Sequence, residues 1–476
     1  MELNQLTIRE ARSGLVAKKF SSRELVEACL SRIKKLEPKI NAFITVCEKE
    51  ALEQAKTIDT KILGYKDIKK LVEDYPLLGI PIGIKDLFLT KGIKTTAASK
   101  VLANYIPQYD ATTVKRLKEA GVIILGKTNH DAWGHGSSGE NSDFGPTRNP
   151  WNLDYVPGGS SSGSGAAVAA GECFGATATD TGSSIRLPAA FCNLVGLKPT
   201  YGRVSRYGII AMASSLDSPG CITKTVFDQV LMFRVMVGKD FSDSTTPKVP
   251  VPNYQSFLGE SIAGLKIGVP KEYFGEGTTP EVKKAIEDAI KKFESLGAKI
   301  LDISLPHTKY AMSSYYIIVF SEISSNLARY DGIRYGFPRE KFGDEARRRI
   351  MLGTYTLSAG YYEAYYLKAM RVRTLIKEDF EKAFKRVNVI VAPTSPTPPF
   401  KLGEKVDDPL LMYLSDIFVC PVNLAGIPSL NIPCGFVNGF PIGMQILGPQ
   451  FSEELLFQVG YAYERETQWS KIRPKI

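Results

Sequence analysis

Leu77-Leu78-Gly79-Ile80-Pro81-Ile82-Gly83-Ile84-Lys85-Asp86 opens the part of the chain that decides the fold. It reads as a strand, apolar and interspersed with glycine. Downstream, Val114 to Ala120 reads as a short helix stopped by Gly121, and Val122-Ile123-Ile124-Leu125 follows at once as a β-branched run. Strand, helix and strand in close succession predict an α/β layered fold. In the first strand Ile80, Ile82 and Ile84 share one face. Lys85 falls on the other, beside the small neighbours Pro81 and Gly83. A lysine enclosed there loses hydration, which lowers its pKa and permits a neutral amine.

The elements on either side fit that layering. Ser21-Ser22-Arg23-Glu24 is a capping box, and Leu25, Ala28, Cys29, Ile33 and Leu36 recur at helical spacing until Pro38. A polar helix is expected from Glu48 to Thr57. After a Pro-rich joint (Pro247, Pro250, Pro252), Leu265 to Val269 reads as a strand. A helix follows with Thr279 at N-cap, Pro280 at N1, an apolar face of Val282, Ile286, Ala289, Ile290 and Phe293, and Gly297 at its end. Lys299-Ile300-Leu301 starts another strand. Residues 310–385 are long, tyrosine-rich helical text, and Val387 to Ala392 is a buried strand ending at Pro393. The expected organisation is a single domain over 1–476. It has a helical segment at 1–70, a core at 71–235 that holds the chemistry, and the rest of the sheet at 255–476.

Composition excludes several classes. Of 476 residues, 44% are hydrophobic and 23% charged, which rules out wholesale disorder. No apolar run is long enough to span a bilayer, so no membrane is expected. The start, MELNQLTIREARSGLVAKKF, has no secretory pattern. The seven cysteines, at 29, 47, 173, 192, 221, 420 and 434, never form C-x-x-C. Reduced thiols, a cytoplasmic location and no metal site are the expectation. A net charge of +10 is a mild excess, compatible with RNA nearby but also with an ordinary solvated surface. The only histidines are His130, His135 and His307, which disfavours histidine-based catalysis.

Pro157-Gly158-Gly159-Ser160-Ser161-Ser162-Gly163-Ser164-Gly165 is the loudest local signal. A flexible linker is one reading, but the stretch runs straight into the compact helix text of Ala166 to Ala170. A phosphate loop lacks its Lys-Ser/Thr pair. A hydrolase elbow at Gly159-Ser160-Ser161-Ser162-Gly163 needs a preceding strand and a downstream histidine. Val156-Pro157-Gly158 is a poor strand end, and only His307 follows. A second serine offers a further reading. Asp180-Thr181-Gly182-Ser183-Ser184-Ile185-Arg186 places small residues before Ser184, as a backbone oxyanion hole requires. With histidine scarce, Lys85 is the available base.

These four segments, Gly79 to Asp86, Pro157 to Gly163, Asp180 to Arg186 and Gly196-Leu197-Lys198-Pro199-Thr200, together resemble the amidase signature family over most of residues 20–470. The resemblance implies a central mixed β-sheet covered on both faces by helices, and a Ser–cis-Ser–Lys triad. On that pattern Ser184 is the nucleophile, Ser160 relays the proton and Lys85 is the base. The amides of Thr181, Gly182 and Ser183 form the oxyanion hole, braced by Asp180 and Arg186. Further segments (Tyr201 to Gly208, Ser324 to Gly332, Gly353 to Arg373, Asn423 to Pro428) resemble the family's glutaminase branch, which serves tRNA-dependent amidotransferases. That resemblance implies Asp416 for the glutamine α-amino group, and one of Arg347, Arg348 and Arg349, with Arg349 chosen, for its carboxylate. It implies a heterotrimer in which a B subunit uses ATP and Mg to activate charged tRNA, a C subunit wraps the pair, and this chain carries no cofactor. A stand-alone amidase acting on another small amide is the alternative. Three features depart from the family's common form: Ser183 in place of a glycine, Leu187 in place of a glutamine, and the segment Asn129 to Gly136. A serine at 183 requires that its backbone not need a positive φ.

Overall fold

The computed structural model describes residues 2–275, 277–330, 332 and 337–476; Asp331, within the segment Ser324 to Gly332, lies outside them. Eleven strands form one sheet: β1 (Phe43–Val46), β2 (Pro81–Lys85), β3 (Ile123–Thr128), β4 (Gly175–Asp180), β5 (Val195–Lys198), β6 (Ser218–Thr223), β7 (Lys266–Pro270), β8 (Lys299–Ile303), β9 (Val389–Pro393), β10 (Ser429–Val437) and β11 (Phe440–Leu447). Their spatial order is β1-β3-β2-β4-β6-β5-β10-β11-β9-β7-β8. Pairing is mixed. β2 runs parallel to both β3 and β4, β7 runs parallel to β8 and β9, and the neighbours between β4 and β9 are antiparallel. Strands from both sides of the Pro-rich joint thus share one sheet.

Every residue of β2, β3, β4, β5, β6 and β9 is buried, so the central sheet is covered on both faces, as the resemblance implied. That is why these strands read as near-continuous apolar text rather than as clean alternation. β2 and β4 run side by side in the same direction, and their C-terminal ends carry Lys85 and Asp180. Open α/β sheets gather chemistry at such strand ends.

Local signals placed most elements well. Ser21 and Glu24 form the capping box, opening the helix Ser22–Ile40. Pro38 does not end that helix. It sits in the last turn before Ile40, so it interrupts only the end of the hydrogen-bond ladder, and Asn41 N–H closes that turn on the Glu37 carbonyl at 3.0 Å. The polar helix expected at Glu48 to Thr57 continues to Gly64. Thr279 and Pro280 start the helix Pro280–Ser295, but the Thr279 side chain caps nothing. The region 310–385 is not continuous. It contains helices Ala311–Leu327, Asp344–Thr356 and Lys368–Phe384, with a π-turn at Glu363–Leu367.

The Gly/Ser stretch is not a linker. Its second half is already the helix Ser162–Ala170, buried on every side. A Cβ on Gly163 would lie 2.2 Å from the Ala42 carbonyl oxygen and 2.6 Å from Asn129 backbone atoms, so only glycine permits this approach. All seven cysteines are buried and unpaired. Among the described residues no helix is long and apolar enough to cross a membrane, and no group of three or more His, Cys, Asp or Glu side chains could hold a metal.

Candidate active site

Lys85 ends β2 with no solvent exposure. Its Nζ donates to Ser160 Oγ at 2.9 Å, Ser161 Oγ at 2.9 Å and Thr179 Oγ1 at 2.8 Å. Its backbone N–H is tied to Thr177 Oγ1 on β4 at 2.9 Å. Burial draws the Lys85 pKa down to about 7, although the carboxylates of Asp131, Asp180 and Asp217 all favour the charged form. The amine therefore exists near neutrality in both protonation states, which a general base requires.

The serine segments converge on this amine. The Gly159–Ser160 peptide bond is cis. Ser161 N–H donates to the Ser184 carbonyl at 3.3 Å, joining the two serine-bearing loops. No strand precedes Ser160, so the strand–turn–helix of a hydrolase elbow is absent here.

Arg186 organises the loop between β4 and the helix Arg186–Phe191. Its Nε and Nη2 donate to the two Asp180 carboxylate oxygens, each at 3.0 Å. Nη2 also reaches the Gly182 carbonyl at 2.8 Å and Asn423 Oδ1 at 2.6 Å, and Nη1 reaches Gln445 Oε1 at 3.0 Å. Burial penalises the Asp180 charge, but Arg186, with Lys198 and Asn423, more than offsets it and holds the carboxyl below its usual range. With the Gly182 carbonyl turned to Arg186, the trans peptide aims the Ser183 N–H the opposite way. Among the described residues nothing accepts from the N–H groups of Gly182 and Ser183. Gly182 is dictated by packing, because a Cβ there would lie 2.3 Å from Tyr315 Oη. Ser183 has no positive φ, so serine is tolerated in place of glycine. Thr181 Oγ1 donates to Asp217 Oδ1 at 2.7 Å, and Asp217 also accepts the N–H groups of Met212 and Ala213.

A cavity of about 710 Å³ is lined in part by His135, Ser137, Ser138, Arg349, Met412 and Tyr413. Of the three neighbouring arginines, only Arg349 is buried. Arg347 and Arg348 are exposed and pair with Asp344 and Glu345. Arg349 Nε donates to Glu345 Oε1 at 2.7 Å, which fixes the guanidinium beside Tyr316, Phe320 and Tyr413. Asp416 Oδ2 accepts from Ser137 Oγ at 2.8 Å and Tyr316 Oη at 3.0 Å, whereas its buried Oδ1 has no partner among the described residues. Burial pushes the Asp416 pKa up, opposed by the hydroxyls of Ser183, Ser137 and Tyr316 and by Arg349. A buried carboxylate oxygen without a partner can take a further hydrogen-bond donor.

The family model for amidases matches residues 24–457. The chain belongs to the amidase signature family. The A subunit of glutamyl-tRNA(Gln) amidotransferase from Carboxydothermus hydrogenoformans is 53% identical over 491 residues, covering 100% of each chain. The crystal structure of the A subunit of the same amidotransferase from Thermotoga maritima matches with a TM-score of 0.84 at 42% identity, covering 98% of this chain and 96% of that one. A bacterial aryl acylamidase of the same family matches with a TM-score of 0.86 at only 27% identity, covering 98% and 97%. The amidase fold is thus common to both, and sequence identity separates them.

The structure brings Lys85, Ser160, Asp180, Arg186 and the loops that carry Ser184 and residues 181–183 of this amidase together, while Arg349 lines the cavity and Asp416 is held by Ser137 and Tyr316. The sequence did not reveal Thr179 and Asp217, nor the contact of Ser161 with Lys85. In the sequence Ser161 reads only as the nucleophile of a hydrolase elbow, not as a partner of the lysine. Thr179 and Asp217 carry no local signal. The segment Asn129 to Gly136 lies against Ser160: a Cβ on Gly134 would be 3.7 Å from Ser160 Oγ. Leu187, the other departure, fills an apolar cluster with Val156, Ala190, Phe191 and Phe400. His307 is remote from this chemistry and pairs with Asp379 at 2.9 Å.

Proposed function

We propose that this chain is the glutamine-hydrolysing subunit of a tRNA-dependent amidotransferase, with Ser184 as its nucleophile. The observation that carries the catalytic part is the buried Lys85 amine held against three hydroxyls, with Ser160 among them. The high identity to relatives of that name, set against the low identity to an aryl acylamidase, supports the choice of substrate.

Glutamine enters with its α-ammonium at the unmet oxygen of Asp416 and its α-carboxylate at Arg349, a planar guanidinium suited to that group. Ser184 Oγ attacks the side-chain amide carbon. The Ser184 proton passes to Ser160 Oγ as the Ser160 proton passes to Lys85 Nζ. The developing oxyanion accepts hydrogen bonds from the 181–183 amides, which are fixed in advance by Asp180 and Arg186 and need no reorganisation. The C–N bond then breaks as the proton returns along the same relay to the leaving nitrogen, releasing ammonia and leaving a glutamyl ester on Ser184. Water attacks that ester by the same relay, giving glutamate and free enzyme.

The ammonia serves conversion of Glu-tRNA(Gln) to Gln-tRNA(Gln); Asp-tRNA(Asn) is open to the same chemistry, and amidation assays with each charged tRNA decide between them. Activation of the tRNA-borne carboxyl with ATP and Mg belongs to the B subunit, and a C subunit completes the heterotrimer. The test is Ser184→Ala in the assembled complex. It should fail to amidate charged tRNA with glutamine yet succeed with ammonium salt, which bypasses the acyl-enzyme. Failure of ammonium rescue in an intact complex overturns the ammonia-donor reading. Vigorous partner-free hydrolysis of assorted amides by the wild-type chain favours a stand-alone amidase.

A further inference from the structure

His135 lines the cavity that Arg349 also lines, and the proposed reaction leaves it without a role. It is 1% exposed, and neither Nδ1 nor Nε2 has a hydrogen-bond partner among the described residues. The other two histidines differ. His130 Nδ1 lies 2.7 Å from the Asp131 carbonyl oxygen, and His307 Nδ1 lies 2.9 Å from Asp379. Buried imidazoles that serve only packing are normally bonded at one nitrogen at least. The His135 backbone is well held, its N–H on the Ala132 carbonyl at 3.0 Å and its carbonyl on Asn141 Nδ2 at 2.9 Å. The ring is thus presented by an ordered turn.

Its surroundings select a ligand chemistry. Burial first, then the charges of Arg349 and His130, hold the His135 pKa well below its usual value. The ring is neutral, with one N–H to donate and one lone pair to fill. Arg349 lines the same cavity. Ser137, two residues on, holds Asp416 at 2.8 Å. The segment that carries His135 therefore spans the ground between the cationic and the anionic ends of the site. Next to Arg349 a neutral donor adds a hydrogen bond to an anion without a second positive charge to bury.

We propose that the His135 imidazole is a specificity-determining contact that donates a hydrogen bond to the substrate's α-carboxylate beside Arg349. The inference rests on the reading of glutamine as substrate. It also gives a use to the segment 129–136, where the sequence departs from its family's common form.

The test uses the intact complex and two amides: glutamine, and 4-aminobutanamide, which keeps the amine and the amide but lacks the α-carboxylate. His135→Met should raise the KM for glutamine and lower the ratio of kcat/KM for glutamine over 4-aminobutanamide by roughly tenfold, the loss of one hydrogen bond to a charged group. His135→Gln, which retains a donor, should recover most of that ratio. An unchanged ratio in His135→Met overturns the inference, as does equal impairment of His135→Met and His135→Gln. If wild-type complex turns over glutamine and the ratio does not move, only this inference fails. If wild-type complex does not hydrolyse glutamine at all, the proposed function fails with it.

Discussion

The pKa of Lys85 makes the sharpest demand on the proposed chemistry. A lysine at its ordinary value of 10.5 would be neutral in roughly one molecule in 3,000 at pH 7. Drawn down to about 7 by burial, it is neutral in about half. The shift corresponds to about 5 kcal/mol of differential stabilisation of the neutral form, invested in a group with no solvent exposure. The prediction is a kcat/KM for glutamine that climbs about tenfold per pH unit below about pH 7 and levels above it, since this parameter reports the free enzyme. The assay is ammonia release at subsaturating glutamine by the intact complex. Asp131 and Asp217, both pushed up to about 6 by burial, lose charge in the same acid range. Their neutralisation loosens the lysine proton and flattens the limb below pH 6. Asp217→Asn should therefore move the limb to lower pH. Lys198, also buried with a pKa drawn down to about 7, donates to the Pro199 carbonyl and not to Ser160 or Ser184, so Lys198→Met should leave the limb in place. Lys85→Ala should lower the rate by at least ~10³, since positioned bases contribute about 10²–10⁴. A profile flat from pH 5.5 to 9, a limb centred near 10, or a loss under tenfold in Lys85→Ala would refute the assignment.

Further predictions concern the supports of the site. Asp416→Ala should weaken glutamine binding by about 2–4 kcal/mol, measured by calorimetry on a Ser184→Ala background, while simple amides without an α-amino group change little; equal losses for both would make Asp416 structural. Arg186→Met strands the buried Asp180 carboxylate and should cost about 3–5 kcal/mol in urea unfolding; a loss below 1 kcal/mol would deny the brace its role. Lys85→Met should be more stable than wild type at pH 6. The folded lysine binds fewer protons than the unfolded one between pH 7 and 10.5, so wild-type stability rises through that window and the gap should narrow there. A gap independent of pH would show that the buried amine is not the cause.

Much of this protein is written locally. The capping box at Ser21 and Glu24, the stop at Gly121 and the Pro280 helix start all involve groups a few residues apart. A sequence window therefore contains every atom that decides them. The same holds for Asp180 and Arg186, which meet across one short loop. The placement of Lys85 opposite three isoleucines followed from strand period alone, although both faces of β2 proved to be buried. Other features depend on partners that no window holds. Thr179 reaches the Lys85 amine because β4 pairs parallel with β2, 94 positions away along the chain. Asp217 meets Thr181 because β6 returns antiparallel beside β4. Arg349 and not its neighbours is buried because Glu345 and three aromatic rings close over that one position of its helix. Helix and strand propensities act over a turn or a pleat, whereas desolvation and hydrogen-bond partners are properties of the assembled sheet. The resemblance carried by the sequence supplied the roles proposed for Ser184, Ser160 and Lys85. Only the tertiary structure removed the water around the lysine, and the loss of that water is what suits it to the role of base proposed for it.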